Sequence, residues 1–216
     1  MTPEQITKAG QDLFQAEKNR KQIKLLTSDY PDMKMDEAYA VQKSLVELKT
    51  ADGCKVTGWK IGLTSKAMQN ALNIDIPDSG ILFDDMHFKD KGVVPKGRFI
   101  QPRIEVEIAF VMKDGLAGAA SRQQVLSATS HVCPSIEILD TRILRADPET
   151  GKTRTVFDTI SDNAANAGIV LGVQNHDPSA IDLRWTGAIC SRNGEVEETG
   201  LGAGVLNDPV MGIVWL

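Results

Sequence analysis

The chain has 216 residues, 42% hydrophobic and 25% charged, the composition of a folded chain able to bury the core of one large domain or two small ones. Its 24 basic residues against 29 acidic ones give a formal net charge of -5, which argues against a general electrostatic grip on nucleic acid or an anionic membrane surface. The start lacks the pattern of a secretory signal, no apolar run nears the roughly 20 residues that span a bilayer, and the scattered Cys54, Cys133 and Cys190 fit reduced thiols, so the chain reads as cytosolic.

Thr2, Pro3 and Gln5 spell a capping box with proline in the first turn. Ile6, Ala9, Leu13, Ala16 and Ile23 then recur at helical spacing until Ser28-Asp29-Tyr30-Pro31. Asp36 is the expected cap of a second helix with the stripe Ala38, Val41, Leu45 and Leu48, and Gly53 its expected stop. From Lys55 the period shortens towards that of strands, placing a boundary near residue 53 between an N-terminal helical part (1–53) and a mostly β part (54–216). Strands are expected over Val56 to Ile61, Gly80 to Phe83, Ile104 to Met112, Ser135 to Leu139, Gly168 to Gly172, Leu183 to Ser191 and Val196 to Thr199, the last two joined by the hairpin turn Asn193-Gly194. One helix interrupts them, opened by a capping box at Ser121 and Gln124, with Val125, Ala128, Thr129 and Val132 on one face. Asn207-Asp208-Pro209 starts a last helix whose apolar run to Leu216 has no polar turn. The expectation is that it docks on a surface or that the native chain extends further.

The segment Arg103-Ile104-Glu105-Val106-Glu107-Ile108-Ala109-Phe110-Val111 carries the clearest chemical signal. Alternation puts Glu105, Glu107, Ala109 and Val111 on one face of a strand, the two carboxylates with Cα atoms roughly 6 to 7 Å apart, close enough to share a hard cation. A solvated acidic face is the competing reading. Against it stand the apolar turn of that face at Ala109 and Val111, and Glu137 set between apolar neighbours, where an unpaired carboxylate is costly. These glutamates suit Mg²⁺ or Mn²⁺, whereas His87, His131 and His176 are too far apart in sequence for a histidine zinc motif. Lys60, in Gly58-Trp59-Lys60-Ile61-Gly62-Leu63-Thr64-Ser65-Lys66, is either a solvated strand lysine or a cation beside an anion-binding turn. That segment lacks the ending of a phosphate-binding P-loop, and Gly200 to Gly204 does not match a dinucleotide fingerprint. Asp78 reads by default as a turn residue, and Asp158 and Ser161-Asp162-Asn163 as caps.

Taken together, the chain resembles the fumarylacetoacetate hydrolase superfamily in its hydratase and decarboxylase branch, from the meta-cleavage degradation of aromatic compounds. The resemblance is carried by Asp29-Tyr30-Pro31, Lys60-Ile61-Gly62-Leu63-Thr64-Ser65-Lys66, Arg103-Ile104-Glu105-Val106-Glu107, Phe157 through Gly168, Asp182-Leu183-Arg184-Trp185 and Arg192-Asn193-Gly194 with Glu197-Glu198-Thr199-Gly200. It implies an α+β fold with a fumarylacetoacetate hydrolase-like mixed β-sheet roll, here lacking the family's C-terminal strands. It further implies Mg²⁺ or Mn²⁺ on Glu105, Glu107 and Glu137, a catalytic Lys60, and Asp78 and Glu198 near the pocket. Leu63, Thr64, Ser65 and Ser161 match positions expected to bind substrate. Arg142, with Arg145 and Arg154, is a candidate cation for the distal end of a dicarboxylate. Beside a cation, Lys60 should have a lowered pKa.

In the stretch Asp147-Pro148-Glu149-Thr150 the chain most resembles the members of that branch that hydrate a seven-carbon 2-oxo or 2-hydroxydienoic dicarboxylate, and the resemblance implies that activity. Decarboxylation of a 2-oxo acid, hydration of a five-carbon acid and a non-catalytic partner subunit are the alternatives. A homo-oligomer, associating with a decarboxylase, is also expected.

Overall fold

Helix α1 (Pro3–Asn19) opens the chain. Thr2 caps it: its Oγ1 accepts from Gln5 N–H at 3.3 Å, and Gln5 Oε1 accepts from Thr2 N–H at 2.8 Å. The helix stops short of the expected Ile23 because Arg20 turns into the left-handed region at φ 51°. A short α2 (Leu26–Asp29) and a long α3 (Met35–Ala51) follow. The α3 helix begins earlier than an Asp36 cap would allow, since Glu37 reaches back to accept from Lys34 N–H at 2.8 Å. The computed structural model describes residues 1–72 and 74–216.

The apolar stripes of α1 and α3 meet in a core where Leu13, Ala38, Val41 and Leu45 are buried with Leu25, Leu26 and Met33. Ile143 and Ile160, from the later part of the chain, complete it. Ile160 lies on α6 (Val156–Ser161), and the buried Asp158 carboxylate ties that helix to the start of α2 by accepting from Thr27 N–H at 3.0 Å and Thr27 Oγ1 at 2.7 Å.

The β part is built from separate small sheets. Strand β1 (Val56–Gly62) leads through α4 (Lys66–Leu72) to β2 (Asp78–Phe83), and β1 and β2 pair antiparallel with Lys60 opposite Gly80. Strands β3 (His87–Phe88), β4 (Arg103–Met112), β5 (Thr129–Leu139) and β6 (Asn166–Leu171) form a four-stranded mixed sheet in the order β3-β6-β5-β4, in which β3 runs parallel to β6. Strand β5 is longer than expected. Helix α5 (Arg122–Ala128) keeps its capping box at Ser121 and Gln124, but Thr129 and Val132 belong to the strand, held by pairing with Met112 and Phe110 of β4.

Strands β7 (Gly187–Arg192) and β8 (Glu195–Leu201) form an exposed hairpin around Asn193 and Gly194, whose φ angles of 54° and 88° match a type I′ turn. Leu183 to Trp185, expected in the strand, form a 3-10 turn, because the Asp182 carboxylate accepts from Arg184 N–H at 3.1 Å. Helix α7 (Pro209–Trp215) starts at an Asp208 cap and packs Val210 against Val125, Val132 and Leu183. Among the described residues no helix is long and apolar enough to cross a membrane.

Candidate metal centre

Strand alternation places Glu105 and Glu107 on one face of β4, and the β4–β5 register sets Glu137 directly opposite Glu105. One carboxylate oxygen from each of the three lies within 4.8 Å of the others. The burial is graded, from exposed Glu105 through intermediate Glu107 to buried Glu137. Burial, then the neighbouring Glu137 and Glu105, push the Glu107 carboxyl up to about 7. Burial also raises Glu137, opposed by Lys60 and reinforced by Glu105. Such a group is unfavourable by itself and is stabilised by a cation among its oxygens. With three carboxylates and no imidazole the donor set suits a hard, oxygen-preferring ion.

Lys60 arrives from β1, its Nζ 3.3 Å from Glu137 Oε1. Burial works against the ammonium, yet Glu137, Asp78 and Glu105 outweigh it and hold the Lys60 pKa above its ordinary value. In the chain by itself the carboxylates set this direction; the lowering expected beside a cation belongs to the metal-loaded site, where a cation would cancel part of that attraction. Asp78 opens β2 as a buried residue, 2% exposed, and is not the turn residue its neighbours would imply. Burial raises its pKa and Lys60 pulls it back. Asp78 Oδ1 is buried and accepts no hydrogen bond, leaving it free for a ligand or a proton, whereas Glu137 Oε1, equally buried, has the Lys60 ammonium as its only neighbouring charge of opposite sign among the described residues.

Two glycines, missed in the sequence, make room for this arrangement. A Cβ on Gly62 would collide with the Asp78 carboxylate and lie 3.1 Å from Lys60 Nζ. At Gly80 a Cβ would lie 2.6 Å from the backbone oxygen of Asn163. Here β2 is gripped from outside: Asn163 Oδ1 accepts from Ile81 N–H at 2.7 Å, and the side-chain amides of Asn163 and Asn166 both donate to the Ile81 carbonyl at 2.9 Å. Asn163, Ala164 and Ala165 adopt φ angles of 53°, 52° and 57°, a left-handed run that costs on the order of 1 kcal/mol per residue. It persists because its surroundings fix it: Asn163 grips β2, and the Ala165 carbonyl accepts from Asp140 N–H at 2.9 Å.

The other candidates divide clearly. Leu63, at φ 55°, Thr64 and Ser65 form the turn leaving β1, where the Leu63 carbonyl accepts from Gln69 Nε2 at 2.9 Å and Ser65 Oγ from Met68 N–H at 3.2 Å. The structure does not bring Arg142, Ser161 or Glu198 to the glutamates. Arg142 is 2% exposed and bound to the Asp162 carboxylate, with a further bond from Nη1 to the Asn166 carbonyl at 3.1 Å. Asp162 is thus an internal counter-ion rather than a simple cap. The Ser161 hydroxyl lies in the helical core, 3.5 Å from the Ala38 carbonyl. Glu198 stands on exposed β8 opposite Cys190. These misplacements share one cause: burial and pairing are set by segments remote in sequence.

No family model matches the chain. It is 52% identical over 211 residues to the 2-oxo-hept-4-ene-1,7-dioate hydratase of Escherichia coli, covering 97% of this chain and 79% of that protein. It is 40% identical over 217 residues to the 2-keto-4-pentenoate hydratase of Paraburkholderia xenovorans strain LB400, covering 100% of this chain and 78% of that protein. Its fold superposes with a TM-score of 0.90 on the 4-oxalocrotonate decarboxylase from Pseudomonas putida G7 complexed with magnesium and adipate, at 32% identity, covering 100% of this chain and 80% of that one. The chain belongs to the hydratase and decarboxylase branch of the fumarylacetoacetate hydrolase superfamily.

Proposed function

We propose that the protein is a magnesium-dependent hydro-lyase that takes 2-hydroxyhepta-2,4-dienedioate, through 2-oxohept-4-ene-1,7-dioate, to 4-hydroxy-2-oxoheptane-1,7-dioate, in aromatic catabolism of the 4-hydroxyphenylacetate type. The observation that carries this reading is the convergence of Lys60 and Asp78 on Glu105, Glu107 and Glu137, in a chain 52% identical to a hydratase of that substrate class. Self-association and pairing with a decarboxylase belong to the same reading, supported by the exposed apolar side chains of Trp185, Ile189 and Val196.

Glu105, Glu107 and Glu137 would hold the cation. When bound, magnesium supplies Lewis acidity for the carboxylate and 2-oxygen of a 2-oxo acid. Lys60 presents an ammonium at Nζ and stabilises negative charge on the substrate oxygen. It also holds a proton for return to carbon. Asp78 Oδ1, buried and without a hydrogen-bond partner, accepts the proton of the attacking water. Water added across the C4=C5 bond of 2-oxohept-4-ene-1,7-dioate places the hydroxyl at C4 and a hydrogen at C5; no carbon is lost and no redox step is involved. Gly62 leaves room for the Lys60 and Asp78 groups to lie close together, and the burial of Asp78 with the largely covered Lys60 side chain limits competing water.

A second reading, decarboxylation, is favoured by the structural likeness to a 4-oxalocrotonate decarboxylase and would use the same groups. The test supplies 2-hydroxyhepta-2,4-dienedioate with Mg²⁺, with and without EDTA, while ultraviolet absorbance and product mass are followed. Hydration predicts a mass gain of one water, abolished by EDTA; loss of carbon dioxide points to the decarboxylase. A Glu105→Gln/Glu107→Gln protein should lose several kcal/mol of transition-state stabilisation, on the order of a thousandfold in turnover. Unchanged turnover and Mg²⁺ affinity in that variant would falsify the cluster.

A further inference from the structure

A group of like charges stands beside the glutamates. Arg103 opens β4 two residues before Glu105, and the register with β5 runs without a break from Arg103 opposite Leu139 to Glu107 opposite Ser135. Alternation therefore projects Arg103 from the glutamate face, its Cα roughly 6 to 7 Å from that of Glu105. Beyond β5 the chain doubles back on itself. Ala146 and Thr153 form an antiparallel bridge, and Arg154 N–H donates to the Arg145 carbonyl at 3.0 Å, so Arg145 and Arg154 stand directly opposite one another.

Arg145 lies within electrostatic reach of Arg154 and Arg103, and Arg154 within reach of Arg103. Burial, then Arg154 and Arg103, holds Arg145 below its ordinary pKa. Burial lowers Arg154 as well, against the pull of Asp162 and with Arg103 adding to the effect. Among the described residues none of the three forms an ion pair. The nearby acids are engaged: Asp140 accepts from Ile100 N–H at 2.8 Å and Gln101 N–H at 2.7 Å, and Asp162 is bound to Arg142. Arg154 reaches only the Thr141 hydroxyl, at 2.8 Å. Cations gathered without an ion-pair partner of their own destabilise a fold, and an anion between them reverses the sign.

We propose that Arg103, Arg145 and Arg154 receive the distal carboxylate of a dicarboxylic 2-oxo acid whose other end lies at Glu105, Glu107 and Glu137. The proposal rests on the reading of those glutamates given above. A seven-carbon chain, with six C–C bonds of about 1.5 Å each, is long enough to bridge neighbouring positions on one strand face. Guanidinium forks match a carboxylate bidentately. Arg142, the cation expected for this role, is replaced by Arg103, which shares the glutamate face.

The experiment measures binding of 2-oxoheptanedioate and 2-oxoheptanoate in Mg²⁺ by calorimetry; the two ligands differ only in the distal carboxylate. The unaltered protein should prefer the dioate by at least about tenfold, the scale of one charge-assisted contact. Arg103→Gln/Arg145→Gln, which leaves the buried core untouched, should bind both ligands within about twofold, with its affinity for the monoacid unchanged. Arg192→Gln, removing the same charge from the exposed hairpin, should keep the preference. A preference that survives in the double variant, or is absent from the unaltered protein while the monoacid still binds with Mg²⁺, overturns the arginine receptor alone. Failure of both ligands to bind with Mg²⁺ overturns the metal-site reading and this proposal with it. Melting curves of each variant verify folding.

Discussion

Truncating Asp162 to alanine decides whether Arg142 is part of the framework or faces substrate. In the fold Arg142 is 2% exposed and Asp162 fully buried. The Asp162 carboxylate accepts from Arg142 Nε and, at 2.8 Å, from Arg142 N–H, while Arg142 Nη1 donates to the Asn166 carbonyl at 3.1 Å. Asp162→Ala leaves that guanidinium desolvated with no directly bonded counter-charge, a change that costs about 3–5 kcal/mol. Against a total stability of about 5–15 kcal/mol this is a large fraction. At about 2–4 °C per kcal/mol for a chain of this size, the Tm should fall by roughly 6–20 °C. Urea unfolding followed by circular dichroism measures the loss directly. Arg142→Met should destabilise by a similar amount, and Arg142→Met/Asp162→Leu should recover much of it, since an apolar pair can replace a buried ion pair without net loss. If Asp162→Ala melts like the unaltered protein, or if Arg142→Met keeps its stability while KM for a dicarboxylate rises, the framework assignment is wrong.

Gly80→Ala would press a Cβ to 2.6 Å from the Asn163 carbonyl, directly opposite Lys60 in the β1–β2 pair; overpacking of about 1–3 kcal/mol is expected, with a fall in kcat, and urea melts run beside turnover assays check both. Leu45→Ala, at a position 1% exposed in the helical core, should lose about 2–5 kcal/mol while the folded fraction keeps its kcat; a selective loss of kcat at unchanged stability would contradict that separation.

How far the site was legible in the sequence depended on whether the deciding contact was local. Caps at Thr2 and Ser121, the Asn193-Gly194 turn and the common face of Glu105 and Glu107 follow from a few adjacent residues, and all are present. Glu137 was marked by its apolar neighbours, but its place opposite Glu105 follows from the register between strands whose metal-site residues lie about 30 positions apart. The same limitation explains Thr129 to Val132. Their apolar spacing suits a helix, yet pairing with β4 draws them into β5. Arg142 looked like a free cation because Asp162, its counter-ion, is brought to it only by the fold. Asp78 followed proline and preceded serine and glycine, a turn pattern that pairing with Gly62 converts into the start of a strand.

The bracket around Ile81 bears on how this enzyme could be re-engineered. A two-stranded sheet has little independent stability, and β1–β2, which carries Lys60 and Asp78, is fastened through side-chain amides to the backbone of Ile81. It therefore resembles a cartridge clipped to the sheet that bears the glutamates. A chimera importing β1–β2 from a relative should seat correctly when the recipient retains Asn163, Asn166 and the left-handed run between them, even if the surrounding loops differ. Replacing the clip while keeping every acid and the lysine should instead leave all the chemical groups present but out of alignment.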